Sequence, residues 1–502
     1  MPSSLVPSYR RPFVLIMVIA ALLAPALPAL AEPASALSAQ ARAFEHRAQE
    51  LSRTLPLWSG LPFAGMLLSI ALFPLVAPRF WHKHYAKVAI GWALAFFAPF
   101  YIEFGSFATH KALEVLLVDY VPFVILLWGL YTVSGGIYLR ATLVATPRLN
   151  VAFLAVGTVL ASLMGTTGAA MLLVRPLLRA NHWRRSKAHV FIFFTFLVAN
   201  VGGLLTPLGD PPLFLGFLHG VPFFWTLRLL PEYLLVSTVL LTGFFVLDRH
   251  LMRRELDVRP SHEPPHKRES FRIEGGRNFL LLFGILGSVL LSGVWKPGGF
   301  EWFGIHFGFE DIVRDLLIII VGLLSLVLTQ PKVREDNQFN WHAMTEVAYL
   351  FFGIFVTIVP VLMILQAGTQ GNLGWLIASI SRPWQYFWIT GALSSFLDNA
   401  PTYLTFFALA LGQVSISPQQ VTDVLNGVIT GPQAAQFVVY LKAVSTGAVF
   451  MGANTYIGNA PNFMVLSIAR SQGVRMPSFF GYMLWAGAFL LPTFAIVSLL
   501  WF

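Results

Sequence analysis

Thr206-Pro207-Leu208-Gly209-Asp210-Pro211-Pro212 lies inside an apolar segment, residues 188–225, that otherwise suits a membrane-crossing helix. No continuous helix accommodates this stretch, because each proline lacks an N–H and clashes with the preceding turn. The segment reads as a broken helix. Backbone at membrane depth leaves helical geometry only where protein or water satisfies its polar groups, so the break predicts a wet, polar interior.

Composition agrees with a membrane setting. Of 502 residues, 56% are hydrophobic and only 11% charged, against ~25% charged in ordinary globular chains. This argues against a soluble enzyme. At ~1.5 Å per helical residue and a hydrocarbon core of ~30 Å, the length allows roughly ten to twelve crossings. The formal charge of +10 would suit nucleic acid, but the basic residues sit in short loops, as membrane orientation requires; the partner they imply is lipid. With no cysteine, disulfides, thiolate metal sites and a Cys nucleophile are excluded. The twelve histidines are scattered without paired spacing, so neither a metal centre nor a cofactor is expected.

Working outward from the break, Arg10 and Arg11 precede an apolar run, Pro12 to Leu30, that ends in Ala29-Leu30-Ala31 before Glu32. Residues 1–31 therefore read as an export signal or an uncleaved first span. The polar stretch 32–58 emerges outside. Spans follow near 59–78, 88–107 and 116–139, with Arg79, Lys83 and Lys87 after the first and Arg140 and Arg148 after the third. The positive-inside rule puts both linkers in the cytoplasm of an inner-membrane protein. An apolar pair at 149–180 turns at Gly165-Thr166-Thr167-Gly168 and has basic residues on both sides, which implies a hairpin entering and leaving on one face. After the broken helix, a span at 229–247 reaches a basic, proline-containing linker, 248–277.

The second half, 278–502, repeats this plan from the opposite side. It has scaffold spans within 278–367, a hairpin at 384–412 turning at Ser394 to Thr402, a segment 436–473 broken at Gly452 to Asn462, and a last span at 478–500. Residues 59–247 are its counterpart, with scaffold spans in 59–140. Ala161-Ser162-Leu163-Met164-Gly165-Thr166-Thr167 aligns with Ser394-Ser395-Phe396-Leu397-Asp398-Asn399-Ala400, and Gly209-Asp210-Pro211-Pro212-Leu213-Phe214 with Gly458-Asn459-Ala460-Pro461-Asn462-Phe463. The expected fold is an all-α polytopic membrane protein built as inverted repeats, with about 10–11 transmembrane helices, two re-entrant hairpins and two broken helices.

Inverted repeats with interrupted segments point to a transport site near the midplane. The breaks contribute Thr166, Thr167, Asn200, Thr206 and Asp210 from the first half, and Ser394, Ser395, Asp398, Asn399, Thr402, Asn454, Thr455, Asn459 and Asn462 from the second. Hydroxyls, amides and freed carbonyls are hard oxygen donors suited to an alkali cation. Each half supplies one carboxylate, Asp210 or Asp398, at a depth where ionised groups are functional by default. Burial and like charge disfavour a second ionisation, so such a pair holds a proton or a cation in competition. The bland alternative is that either aspartate caps a half-helix. Glu103, Glu114, Asp119 and Glu346 fall near span ends and read as interfacial or capping residues, whereas Lys442 could snorkel or pair with a carboxylate. No nucleophile with a base and no phosphate loop is visible, which argues against an enzyme.

Ser394 to Thr402 and Gly209-Asp210-Pro211-Pro212 resemble the NhaD-type sodium/proton antiporters and the related citrate transporters of the ion transporter superfamily, over roughly residues 59–500. The resemblance implies a homodimer and elevator-like movement of a transport domain against a scaffold. Family members that carry dicarboxylates have Ser-Asn-Thr at both hairpin tips; this chain has Gly165-Thr166-Thr167 and Leu397-Asp398-Asn399 instead. The departure favours sodium/proton antiport, with protons and sodium held at Asp398, Asp210, Asn399 and Asn459, over the alternative of sodium-coupled citrate or carboxylate symport.

Overall fold

A computed structural model describes residues 39–140, 143–255 and 272–502. The expected export segment, 1–31, and most of the linker lie outside the described residues. Ten helices among the described residues are long and apolar enough to cross a membrane, and the chain is an all-α polytopic membrane protein.

The first half begins with α1 (Ala39–Thr54), a polar helix lying against the bundle. Two long helices follow, α2 (Leu61–Val76) and α3 (Pro78–Phe104). Arg79, Lys83 and Lys87, read from sequence as a linker, form the first turns of α3 instead, because Pro78 sits comfortably at a helix start and only Ala77 separates the two helices. Next comes a continuous helical run made of α4 (Ser106–Glu114), a π-helical turn (Val115–Tyr120) and α5 (Val121–Ser134). Strand β1 (Tyr138–Arg140) leads to a hairpin of α6 (Pro147–Met164) and α7 (Thr166–Ala180). Its tip is Gly165, whose φ of +80° is a conformation that favours glycine. The broken helix is α8 (Ala188–Leu197), a 3₁₀ turn (Val201–Leu205) and α9 (Pro211–Leu218), and α10 (Leu230–Arg253) ends the half.

In the second half, β2 (Arg272–Glu274) pairs with β1, and α11 (Arg277–Val294) leads to the β3–β4 ribbon (Gly299–Trp302, Ile305–Gly308). Then come α12 (Phe309–Leu328), α13 (Pro331–Asp336), α14 (His342–Gln366) and the short α15 (Gly374–Ser379). The second hairpin is α16 (Pro383–Ser394) and α17 (Asn399–Val414), followed by the short α18 (Val421–Leu425). The second broken helix is α19 (Pro432–Met451) with α20 (Ala460–Ser471), and α21 (Phe479–Trp501) closes the chain.

These elements pack as two interleaved groups. An outer bundle joins α2, α3 and α5 to α11, α12 and α14 across the repeat boundary, through the α3–α14 and α5–α12 pairs. An inner bundle joins the first hairpin and broken helix to the second, through α9–α17, α7–α20 and α10–α21. One end of the molecule gathers the basic linkers: Arg140 binds Glu274 at 3.1 Å and Asp336 at 2.7 Å, and Arg184 is buried between Asp248 and Glu255. We call this the basic face. The opposite face carries α1 and the β3–β4 ribbon, tied by Phe44 stacking on His110 at 4.0 Å and by the 3.0 Å contact of His110 Nδ1 with the Phe303 carbonyl. The first hairpin enters from the basic face and the second from the opposite one.

Candidate functional site

Four helices end and four begin at the centre of the inner bundle. The two breaks are built by the same local rules. Thr206 Oγ1 donates to the Ser162 carbonyl and accepts from Leu208 N at 3.2 Å. In the other repeat Thr455 Oγ1 donates to the Ser395 carbonyl at 2.5 Å and accepts from Ile457 N at 3.2 Å. Each threonine thus fastens a hairpin tip to the unwound segment beside it. Gly209 and Gly458 let the unwound chain cross itself: a Cβ on Gly209 would lie 2.1 Å from the Gly203 carbonyl oxygen, and one on Gly458 2.5 Å from that of Gly452. Backbone on both sides leaves no room to give. Gly209→Ala is expected to cost on the order of 1–3 kcal/mol through overpacking, read as a lower melting temperature in detergent.

Asp210 occupies the crossing point. It is 1% exposed, and although it precedes α9 its side chain makes no capping bond. Its Oδ1 accepts from Thr166 Oγ1 at 3.2 Å and Asn459 Nδ2 at 3.1 Å, and its Oδ2 from Asn399 Nδ2 at 2.5 Å. Thr166 and Asn399 are equivalent positions of the two hairpin tips, and Asp210 and Asn459 are equivalent positions of the two breaks. The two repeats therefore meet on one carboxylate. A carboxylate offers about four lone-pair directions; three are filled by donors, which leaves room for one proton or one cation. Asn399 Oδ1, buried beside it, has no hydrogen-bond partner among the described residues, and neither does Asn454 Oδ1.

A second layer holds these groups. Asn459 Nδ2 also reaches the Ala199 carbonyl at 3.1 Å and Asn200 Oδ1 at 3.3 Å. Asn200 donates to Asn462 Oδ1 at 2.7 Å, and Asn462 in turn donates to the Gly452 and Thr455 carbonyls at 2.8 and 2.9 Å. Ser394 Oγ donates to the Ala448 carbonyl at 2.6 Å, while Ser395 Oγ donates to Gly391 and Met451 carbonyls and accepts from Asn454 Nδ2 at 2.9 Å. Thr402 Oγ1 turns back to the Asp398 carbonyl at 3.0 Å. These hydroxyls fix the backbone of the second tip.

The two aspartates differ in role. Asp398 is partly exposed and caps α17, its Oδ1 accepting from Ala400 N at 3.1 Å. It lies close enough to Asp210 to interact electrostatically, but it is the next residue, Asn399, that touches the carboxylate. Lys442 stays away from this cluster and pairs with Glu232 Oε1 at 2.8 Å. A cavity of about 90 Å³ opens beside Asp210, lined by Thr166, Thr167 and apolar residues such as Phe123, Leu130 and Met344. It extends to Tyr131, Ala343 and Met344, at the basic-face ends of α5 and α14. Among its lining residues Asp210 carries the charge, and none is Lys or Arg.

Residues 52–502 match a family model described as "Putative citrate transport". The chain belongs to that family. No curated protein matches it. This citrate-transporter-like chain is thus a multi-pass secondary transporter, its role transport rather than catalysis.

Several charged residues of this transporter are buried inside the bundle. Asp119, read from sequence as a span-end residue, is buried inside the α4–α5 run, because the π-helical turn Val115–Tyr120 continues the helix past Glu114. Glu232 is fully buried against Lys442, a partner 210 residues along the chain. Arg314 is fully buried on α12, held by Asp311 at 2.7 Å and Asp315 at 2.8 Å, with its guanidinium 5.8 Å from the ring of Phe214 on α9. Nothing local in the sequence announces the pairing of Glu232 with Lys442, whereas Asp311 and Asp315 are neighbours of Arg314 on its own helix.

Proposed function

We propose that the protein is a sodium/proton antiporter of the bacterial-type inner membrane, working as a homodimer in which the inner bundle moves elevator-like against the outer one. The observation that carries this reading is Asp210: one buried carboxylate with a single open lone-pair direction, in a cavity without cationic lining. A proton and a sodium ion compete for that position. Sodium would take Asp210 with Asn399 Oδ1, whose buried carbonyl has no other partner among the described residues, and further oxygens from Asn459, Thr166 and the unwound backbone. Asp398 supplies a second negative charge nearby. An organic anion entering this cavity would meet a carboxylate and no positive side chain.

The alternative, sodium-coupled symport of citrate or another carboxylate, is favoured by one feature of the same site. Helices α7, α9, α17 and α20 all begin there, and helix N-termini attract anions. In the antiporter reading those four positive ends stabilise ionised Asp210, and the carbonyl ends of α6, α8, α16 and α19 favour the cation.

Everted vesicles separate the two. With an imposed pH gradient, added sodium is expected to dissipate the gradient at once with no organic acid present. A response that appears only on adding citrate would select symport.

A further inference from the structure

The last residue of the α9 region, His219, reaches the outer bundle. Its Nε2 lies 3.7 Å from Asp119 Oδ1, which belongs to the π-helical turn between α4 and α5. Both side chains are largely withdrawn from solvent, 24% exposed for His219 and 12% for Asp119. The other ring nitrogen, Nδ1, contacts the Leu215 carbonyl at 2.9 Å. A carbonyl oxygen only accepts, so Nδ1 carries the hydrogen. A neutral imidazole in that tautomer turns the lone pair of Nε2 toward the lone pairs of the carboxylate. The contact is attractive only when one further proton resides on it, on Nε2 or on the acid.

Its surroundings sharpen the point. The charged groups acting on Asp119 are His219 from α9 and, from its own helical run, Glu114 and Lys111, which are tied to each other at 2.7 Å. On the other side His219 meets the edge of the Phe407 ring of α17 at 6.0 Å. Tyr120, next to Asp119, is anchored to the Ala348 carbonyl of α14 at 2.9 Å, which fixes the carboxylate to the outer bundle. A π-helical turn inside a helix frequently marks a functional position.

We propose that Asp119 and His219 form a proton-binding site shared between the two bundles, and that the proton bound there latches the present arrangement, in which the cavity beside Asp210 extends toward the basic face. His219 follows Asp210 by nine residues, along a helix rising ~1.5 Å per residue. Any sliding of α9 that carries Asp210 toward the opposite face draws His219 away from Asp119. Loss of the shared proton turns the contact repulsive and frees that movement. The latch rests on the two-bundle motion of the proposed mechanism but not on the identity of the cargo.

The test uses the natural absence of cysteine. Spin labels on Phe224→Cys, from the inner bundle, and Trp58→Cys, from the outer bundle, both exposed on the opposite face, report the separation of the bundles in detergent without sodium. Between about pH 5 and about pH 8, a second distance population is expected to grow in the otherwise unaltered protein. Asp119→Leu, which can neither accept nor donate, should show that population at both pH values, and His219→Arg, which keeps a fixed charge, at neither. Variants that titrate like the parent, or a parent that does not titrate, overturn the latch. Opposite shifts from two substitutions at one contact are not produced by misfolding. If the distances titrate as expected while vesicles show no sodium-driven exchange, the latch stands and only the sodium reading falls.

Discussion

Asp210→Asn is expected to reduce sodium-driven proton movement in everted vesicles to the level of vesicles lacking the protein. The substitution keeps an acceptor for Thr166 and Asn459, so the crossing of the two breaks survives. It removes the charge and sets an amide nitrogen against Asn399 Nδ2, which already donates to that oxygen at 2.5 Å. Loss of a charged partner is worth ~1.5–3 kcal/mol, so sodium affinity should fall by roughly 10- to 100-fold, and proton coupling should vanish with the titratable group. Asp398→Asn is expected to act more mildly on binding, since Asp398 caps α17 and does not touch the cluster directly. An Asp210→Asn protein that still exchanges sodium for protons would contradict the assigned role.

The largest effect on stability is expected at the basic face. Arg184, with no exposed side-chain surface, lies between Asp248 and Glu255, the latter at 3.2 Å. Asp248 also accepts from Asn150 at 2.9 Å and contacts His189 Nε2 at 2.8 Å, while Glu255 accepts from Ser186 N at 2.6 Å. This network joins the base of the first hairpin to the start of α8 and the end of α10. Arg184→Met strands two buried carboxylates, and breaking a buried pair from one side costs ~3–5 kcal/mol. The variant should lose its monodisperse elution after heating several degrees below the parent. Arg184→Lys, which keeps the charge but not the planar fork, should fall between them. Equal melting of Arg184→Met and the parent would show that the network contributes nothing.

What could be read from sequence was local. Pro207, Pro211, Pro212 and Pro461, each set among glycine and polar residues, interrupt the helix in those stretches, and Gly165 at a tip is a turn signal in its own right, so the breaks, the two hairpins and the duplicated plan were visible without coordinates. The bonds of Thr206 to Ser162 and of Thr455 to Ser395 fall at aligned positions of the two repeats, but they join residues 44 and 60 apart and only the structure shows them. The division of labour between Asp210 and Asp398 was not visible. Both precede a half-helix, and only the direction of each side chain decides that Asp398 caps while Asp210 collects donors from both repeats. Asp119 was misplaced because a π-helical turn leaves the hydropathy pattern unbroken. Lys442 was ambiguous because its partner, Glu232, sits in the first turn of α10, where an acidic residue needs no further explanation. Non-local charge pairing leaves no periodicity behind it.

The competition of one proton and one sodium ion for Asp210 is tested most directly by proton release from purified protein in weakly buffered detergent. Adding sodium without any organic acid should acidify the solution in proportion to occupied sites. The apparent affinity should weaken as the pH is lowered, and Asp210→Asn should release nothing. Sodium binding with no proton released, or release seen only when citrate is present, would contradict the account.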